Sequence, residues 1–232
     1  MAFFFKLFPD IIRDGRLYIA EPPLYRVSDK KNPFVINMAD YNERYVKQAS
    51  KDYKLGYKKS KKDIVPEYLD KDQWFEFLSE STNYVDDIKS LTKHYKVNDR
   101  LLEMVLEEFS YMGYNEKVSN EEWINRLNIQ HLMNRIGTEF NELYYDDKDN
   151  VIKGSIDSIY QMMSINQELL RKSSNLIDIM NRWLPGEKGE MILKDIKTGT
   201  EQSLSLLSIL KILKKYQPNI LHRFKGLTSR PI

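Results

Sequence analysis

Arg16-Leu-Tyr-Ile-Ala-Glu-Pro-Pro-Leu-Tyr-Arg-Val27 is the stretch on which the reading of this chain turns. Leu17, Ile19, Leu24 and Val27 are its apolar positions, and Glu21-Pro22-Pro23 divides it, because proline cannot donate to a strand ladder. Two short strands over 16–27 follow from that pattern. About 190 positions later comes His222-Arg-Phe-Lys-Gly-Leu227, preceded by Pro218, with Ile220, Leu221 and Phe224 as its apolar residues. It reads as a final strand. Lys225-Gly226 at its end suits close backbone approach to an anion.

Upstream of the first stretch, residues 2–14 predict a helix with Phe4, Phe5, Phe8, Ile11 and Ile12 near one face and Gly15 as its stop. Three consecutive phenylalanines suit a helix packed on a sheet better than a solvated one. Together these segments resemble the B subunit of the type IIA DNA topoisomerases, gyrase and its topoisomerase IV relatives. In that family the metal-binding TOPRIM domain runs from an apolar helix into I-A-x-P-P-L-Y-[KR]-V. It returns, after a variable insertion, as [RK]-[YF]-K-G-L-G-E-M. Phe5-Lys-Leu-Phe-Pro-Asp-Ile-Ile-Arg-Asp-Gly15 matches the helix, Ile19 to Val27 the strand, and Arg223-Phe-Lys-Gly-Leu227 the return. After Leu227 this chain reads Thr228-Ser-Arg-Pro-Ile232, so the family's second glycine is replaced.

The resemblance implies an α+β fold, mostly helical. A partial TOPRIM-like α/β layer would span 1–65 and 190–232, around an inserted helical subdomain over 66–189 with a hairpin near 138–156. It implies a share in ATP-dependent DNA cleavage, religation and strand passage. The family holds its divalent metal with a glutamate and a D-x-D pair, since magnesium takes hard oxygen ligands and bridges to phosphate. Those acids lie upstream of the apolar helix. The implied chain is therefore not catalytic alone and binds no cofactor itself, while Mg2+ and ATP serve the parent enzyme. Its implied partners are DNA, the rest of the B subunit and the A subunit, with no membrane. Both chain ends fall inside one family domain, the expectation for a split gene, an exon-like piece or a cropped chain. Arg223, Lys225 and Gly226 are the residues expected nearest DNA.

Bulk composition is that of a globular protein, 41% hydrophobic and 30% charged over 232 residues, with net charge +2. So small a charge drives no global attraction to nucleic acid or membrane, and any DNA contact must come from local clustering. The absence of cysteine excludes disulfides, thiolate ligands and a thiol nucleophile. The apolar run Met1–Phe8 is broken by Lys6 and closed by Pro9, unlike a signal peptide, and no window is long enough to span a bilayer. A cytoplasmic location is expected. Richness in Lys, Asn, Ile and Tyr suggests an AT-rich, phage-like source.

Between the two ends, a strand is expected over Phe34–Met38, then a helix capped by Asp40 and carrying Tyr41, Tyr45 and Val46. Lys47 to Lys62 is the one dense basic run. Its Lys58, Lys59, Lys61 and Lys62, with Tyr53 and Tyr57 interleaved, suit a phosphate backbone. A solvated loop is the competing reading, since Asp63, Glu67, Asp70 and Asp72 follow at once. Pro66 to Ile136 reads as a helical bundle: Trp74, Phe77 and Leu78 in one stretch, and Tyr84, Val85, Ile88 and Leu91 in the next. A third runs from Asn98 to Gly113, and a fourth from Ser119, with Glu122 at capping-box spacing, to Gly137. Period two over 138–156 gives the hairpin. Helix is expected over 158–183, kinked near Ser164–Asn166, then a strand at 191–196, a turn at Lys197-Thr-Gly199 and a helix over 201–216.

Two D-x-D strings occur. Asp70-Lys-Asp72 falls at a helix entry and Asp147-Lys-Asp149 in a hairpin turn, where acids are favoured for backbone reasons. His94, His131 and His222 share no ligand spacing and read as structural or surface residues. A second functional reading stands beside the topoisomerase one: the helical middle is a non-catalytic DNA- or protein-binding module.

Overall fold

A computed structural model describes residues 25–28, 33–218 and 220–223. The helix expected over 2–14, the first of the two strands expected over 16–27 and the tip Lys225-Gly226 lie outside them. The chain divides into two compact units, Met1–Arg44 with Pro218–Ile232, and Tyr45–Gln217.

The first unit contains a three-stranded antiparallel sheet in the order β10-β1-β2. Strand β1 (Tyr25–Ser28) pairs with β2 (Pro33–Ile36), setting Tyr25 opposite Ile36 and Ser28 opposite Pro33. Its other edge takes β10 (Ile220–Arg223), with Tyr25 opposite Arg223, Arg26 opposite His222 and an irregularity between Arg26 and Val27. The end of the opening stretch and the start of the closing one are thus hydrogen-bonded neighbours.

Helix α1 (Met38–Asp52) begins in the first unit and ends in the second. Asn37 rather than Asp40 caps it: the Asn37 side-chain oxygen accepts the Asp40 N–H at 2.8 Å. The chain then enters a four-stranded antiparallel sheet, β4-β3-β8-β9. Here β3 (Tyr53–Lys58) runs against β8 (Glu190–Asp195), from Tyr53 opposite Asp195 to Lys58 opposite Glu190. The loop reading of the basic run is therefore corrected for 53–58. Leu55 and Gly56 are buried, and a Cβ on Gly56 would stand 2.6 Å from the Glu67 carbonyl of β4 (Glu67–Tyr68). Strand β9 (Glu201–Ser203) corrects the helix expected from 201: the turn at Thr198–Gly199 returns it along β8, and α8 (Leu206–Leu213) starts only after the Ser205 cap.

The bundle follows the sequence closely. Helix α2 (Lys71–Glu80) has a full capping box between Asp70 and Gln73. Next come α3 (Tyr84–Tyr95) and α4 (Asp99–Tyr111), whose cap Asn98 accepts from Arg100 N at 2.8 Å. The single helix expected from Ser119 is two: α5 (Asn120–Arg126) stops at an extended Leu127, and α6 (Ile129–Ile136) restarts on the Asn128 cap. At Ser119 the box is half made, because the Glu122 carboxylate turns to Arg126. Helix α4 packs on α3, α6 and α7 (Gln167–Trp183), and every residue from Leu101 to Ser110 is buried.

The hairpin is present as β5 (Leu143–Asp146) and β6 (Val151–Ile156), but a third strand, β7 (Ile159–Ser164), replaces the first two turns of the expected helix. The cause is the Asp157-Ser158 pair, both left-handed at φ 49° and 65°, a two-residue turn that sends the chain straight back along β6. Gly154 sits on β6 at φ 139°, and a Cβ there would fall 1.9 Å from the Glu142 carbonyl. Gly154→Ala is therefore expected to destabilise the chain by about 3 kcal/mol or more, read as a lowered melting temperature by circular dichroism. A neutral result would mean that this strand is not seated as described.

Candidate functional site

The chemistry of the second unit gathers on α4. Its apolar residues fill the core, yet Glu103, Glu107 and Glu108 are buried with them, and Glu103 is 0% exposed. An unpaired buried carboxylate is costly, so each must find cations or N–H groups. Arg100, one turn earlier, spreads its donors over three acids: Glu103 at 2.8 Å, Glu107 at 2.9 Å, and Glu139 at 2.8 Å through its other nitrogen. Arg135 of α6 takes Glu107 at 2.6 Å and Glu108 at 2.8 Å. His131 lies between Glu108, 2.8 Å from Nδ1, and Glu187, 3.0 Å from Nε2. The backbone N–H of Leu207, at the start of α8, donates to Glu103 at 2.6 Å.

Protonation follows from these distances. Burial, then the neighbouring charge of Glu107, pushes the Glu103 carboxyl up to about 7, against Arg100 and the Leu207 N–H. Arg100 cannot hold it lower because its donors are divided among three acids. Its own guanidinium is desolvated, but Glu139, Glu107 and Glu103 outweigh that and raise its pKa. The hydrogen bond that His131 donates to the Glu108 carboxylate raises the imidazole. Burial, then Glu107, raises the Tyr111 phenol, which stays neutral.

One side of this network opens on a cavity of about 490 Å³. Arg100, Glu107, Tyr111, Arg135 and Glu139 line it together with Lys61, Glu190 and Ser203. Glu107 and Glu139 are already committed to arginines. Lys61 and Glu190 carry no side-chain ion pair among the described residues, so they are the charges available to a solute. Among those residues no group of three or more His, Asp or Glu is arranged to hold a metal ion. Asp70 caps α2, and Asp147 and Asp149 occupy the β5–β6 turn.

The basic residues singled out in the sequence divide between the units. Lys58 ends β3, Lys59 pairs with Glu67 at 3.2 Å, Lys61 donates its backbone N–H to the Lys188 carbonyl at 3.1 Å, and the Lys62 N–H reaches Ser60 Oγ at 3.2 Å. These four stand together at one end of the four-stranded sheet. Arg223 closes β10 in the first unit, and Lys225 and Gly226 lie outside the described residues. Of the histidines, His94 is 3.0 Å from the Lys172 amine and His222 is in β10. The α4 network was missed from the sequence. Its signal was there: Glu103 and Glu107 repeat like charges at i, i+4 on an otherwise apolar helix, a destabilising spacing unless cations answer it.

No helix of the described residues is long and apolar enough to cross a membrane. No family model matches the sequence. Among curated proteins, the chain is 23% identical over 160 residues to a type 2 topoisomerase B subunit from Aquifex aeolicus, a match covering 69% of this chain and 18% of that protein. The chain thus spans less than a fifth of that relative's length, and the similarity is distant.

Two outcomes test the network. Arg135→Met leaves Glu107 and Glu108 each short of a buried partner, and is expected to cost about 3 kcal/mol or more in chemical denaturation at neutral pH. The pH dependence has a definite sign. Glu103 and His131 both titrate higher folded than unfolded, so their contribution is complete at acid pH and is lost as pH rises through the folded values. A carboxyl at about 7 folded and about 4.5 unfolded forfeits on the order of 3 kcal/mol once ionised in both states. Glu103→Gln should flatten the fall in melting temperature from mildly acid to mildly alkaline buffer. An unchanged slope would show that Glu103 does not titrate there.

Proposed function

We propose that this chain is part of a type II DNA topoisomerase B subunit, contributing part of the metal-binding domain together with an inserted helical body. The observation that carries the reading is the antiparallel pairing of β1 with β10, which sets Tyr25 and Arg26 of the opening stretch opposite Arg223 and His222 of the closing one. The distant similarity to a type 2 topoisomerase B subunit supports it. On this reading the metal, and ATP with it, belong to parts of the subunit outside the described residues. The chain completes the sheet and presents basic side chains to DNA: Arg223 and Lys225, with Lys58, Lys59, Lys61 and Lys62 as a second contact.

A second reading, a DNA- or protein-binding module without a part in catalysis, draws on one observation: Tyr45–Gln217 has its own extensive core. Plasmid topology separates the two. The purified chain is mixed with a B-subunit fragment bearing the ATPase domain and metal-binding acids, and with an A subunit, ATP and Mg2+. Relaxation or supercoiling that requires this chain is the expected result. Salt-sensitive DNA binding without any topology change, from a chain folded by circular dichroism, would overturn the first reading and favour the second. In the DNA-binding assay, Lys61→Ala with Lys62→Ala should lower the salt slope by about two, with little sequence dependence.

A further inference from the structure

The sheet β5-β6-β7 ends on β7, which has no second strand hydrogen-bonded to it among the described residues. The turn Asp157-Ser158 makes Ile156 and Ile159 the closing pair, and in a two-residue hairpin that pair exchanges both hydrogen bonds. Alternation then commits the backbone groups of Ile159, Gln161 and Met163 to β6. Those of Tyr160, Met162 and Ser164 face the other way, and no backbone partner meets them among the described residues.

The side chains follow the same division. Gln161 is buried, and its oxygen accepts the Asn98 N–H at 2.6 Å, which fixes the inner face of the strand at the start of α4. Tyr160 and Met162 point outward, 61% and 58% exposed. Ile159–Ser164 has no charge, proline or glycine, so it lacks the residues by which natural edge strands are usually blunted. Behind it, Lys153 stands opposite Met162 and is paired with Asp146, so it offers the row no free cation.

We infer that β7 is a self-pairing edge, to which a second copy of this chain adds its own β7 antiparallel about a two-fold axis at Met162. That register sets Met162 against the partner's Met162 and Tyr160 against the partner's Ser164. It engages every outward N–H and C=O of the strand at once, in an isologous interface. An uncharged strand is the case in which the same sequence can face itself without like-charge repulsion. The lack of any cation on the strand disfavours nucleic acid as the occupant. The two sheets join into one of six strands.

The inference rests on this sheet alone and is tested without any topoisomerase activity. Sedimentation of the full chain across the micromolar range should give a mass rising from one chain toward two. Met162→Lys and Met162→Glu, at an exposed position, should each keep the melting temperature and weaken self-association by about tenfold or more. Mixed in equal amounts, they should recover the two-chain mass. Because the chain has no cysteine, Met162→Cys supplies a single thiol. Its partner Cα would lie about 5.5 Å away, within disulfide range, so oxidation should cross-link it, whereas Ile196→Cys should stay single. A wild-type chain that is monomeric at every concentration overturns the inference, whether or not another protein's strand takes the edge. So does a dimer that Met162→Lys leaves intact.

Discussion

Three carboxylates inside one helix impose the constraint that most of the second unit answers. Glu103, Glu107 and Glu108 sit where α4 is walled in by α3, α6 and α7, and each would be prohibitive there alone. Arg100 reaches them from the same helix, Arg135 and His131 from α6, and the Leu207 N–H from α8. The network therefore specifies which helix faces lie against α4 and how the chain must enter α8. Replacing such a network by well-packed apolar residues of the same volume is often neutral or stabilising, whereas removing one partner alone is costly. Its cost is a carboxyl poised at about 7, whose charge state is set as much by its neighbours as by the buffer.

How far the sequence disclosed this can be followed residue by residue. The caps at Asp70, Asn98 and Ser119 and the apolar spacing from Trp74 to Ile136 locate the bundle, because local hydrogen bonds and helical periodicity act within a few positions. The α+β class was what the resemblance implied, and the helices and antiparallel sheets bear it out. Strand β7 escaped because Ile159, Met162 and Ile165 also fit a helical spacing, and only the left-handed pair at Asp157-Ser158 decides between the two. The same holds at 201–203, where a strand of exposed residues shows no apolar alternation. The candidate site was less legible: an acid on a helix reads as solvated until its arginine, 27 or 28 positions away, is brought beside it.

The pairing of β1 with β10 is of another kind, since neither strand has a pattern strong enough to name its partner by physics alone. Four residues on each side suffice only because β2 supports β1 from its other edge. The resemblance between the two stretches and a split family domain pointed to the juxtaposition. The ladder itself stands independently of that resemblance.

That ladder joins residues almost 200 positions apart, and a nascent polypeptide must leave one edge of β1 open until β10 has been made. Loop closure over such a length carries an entropic cost, though one that grows slowly with length. The folded body reduces it. Tyr216, near the body's exit, donates its hydroxyl hydrogen to Asp52, near its entrance, at 2.6 Å, and the Lys215 amine reaches the Tyr53 hydroxyl at 3.3 Å. Once Tyr45–Gln217 has condensed, Asp52 and Tyr53 near its entrance are tied to Tyr216 and Lys215 near its exit. The clasp between Asp52 and Tyr216 thus shortens the loop that the pairing of β1 with β10 must close.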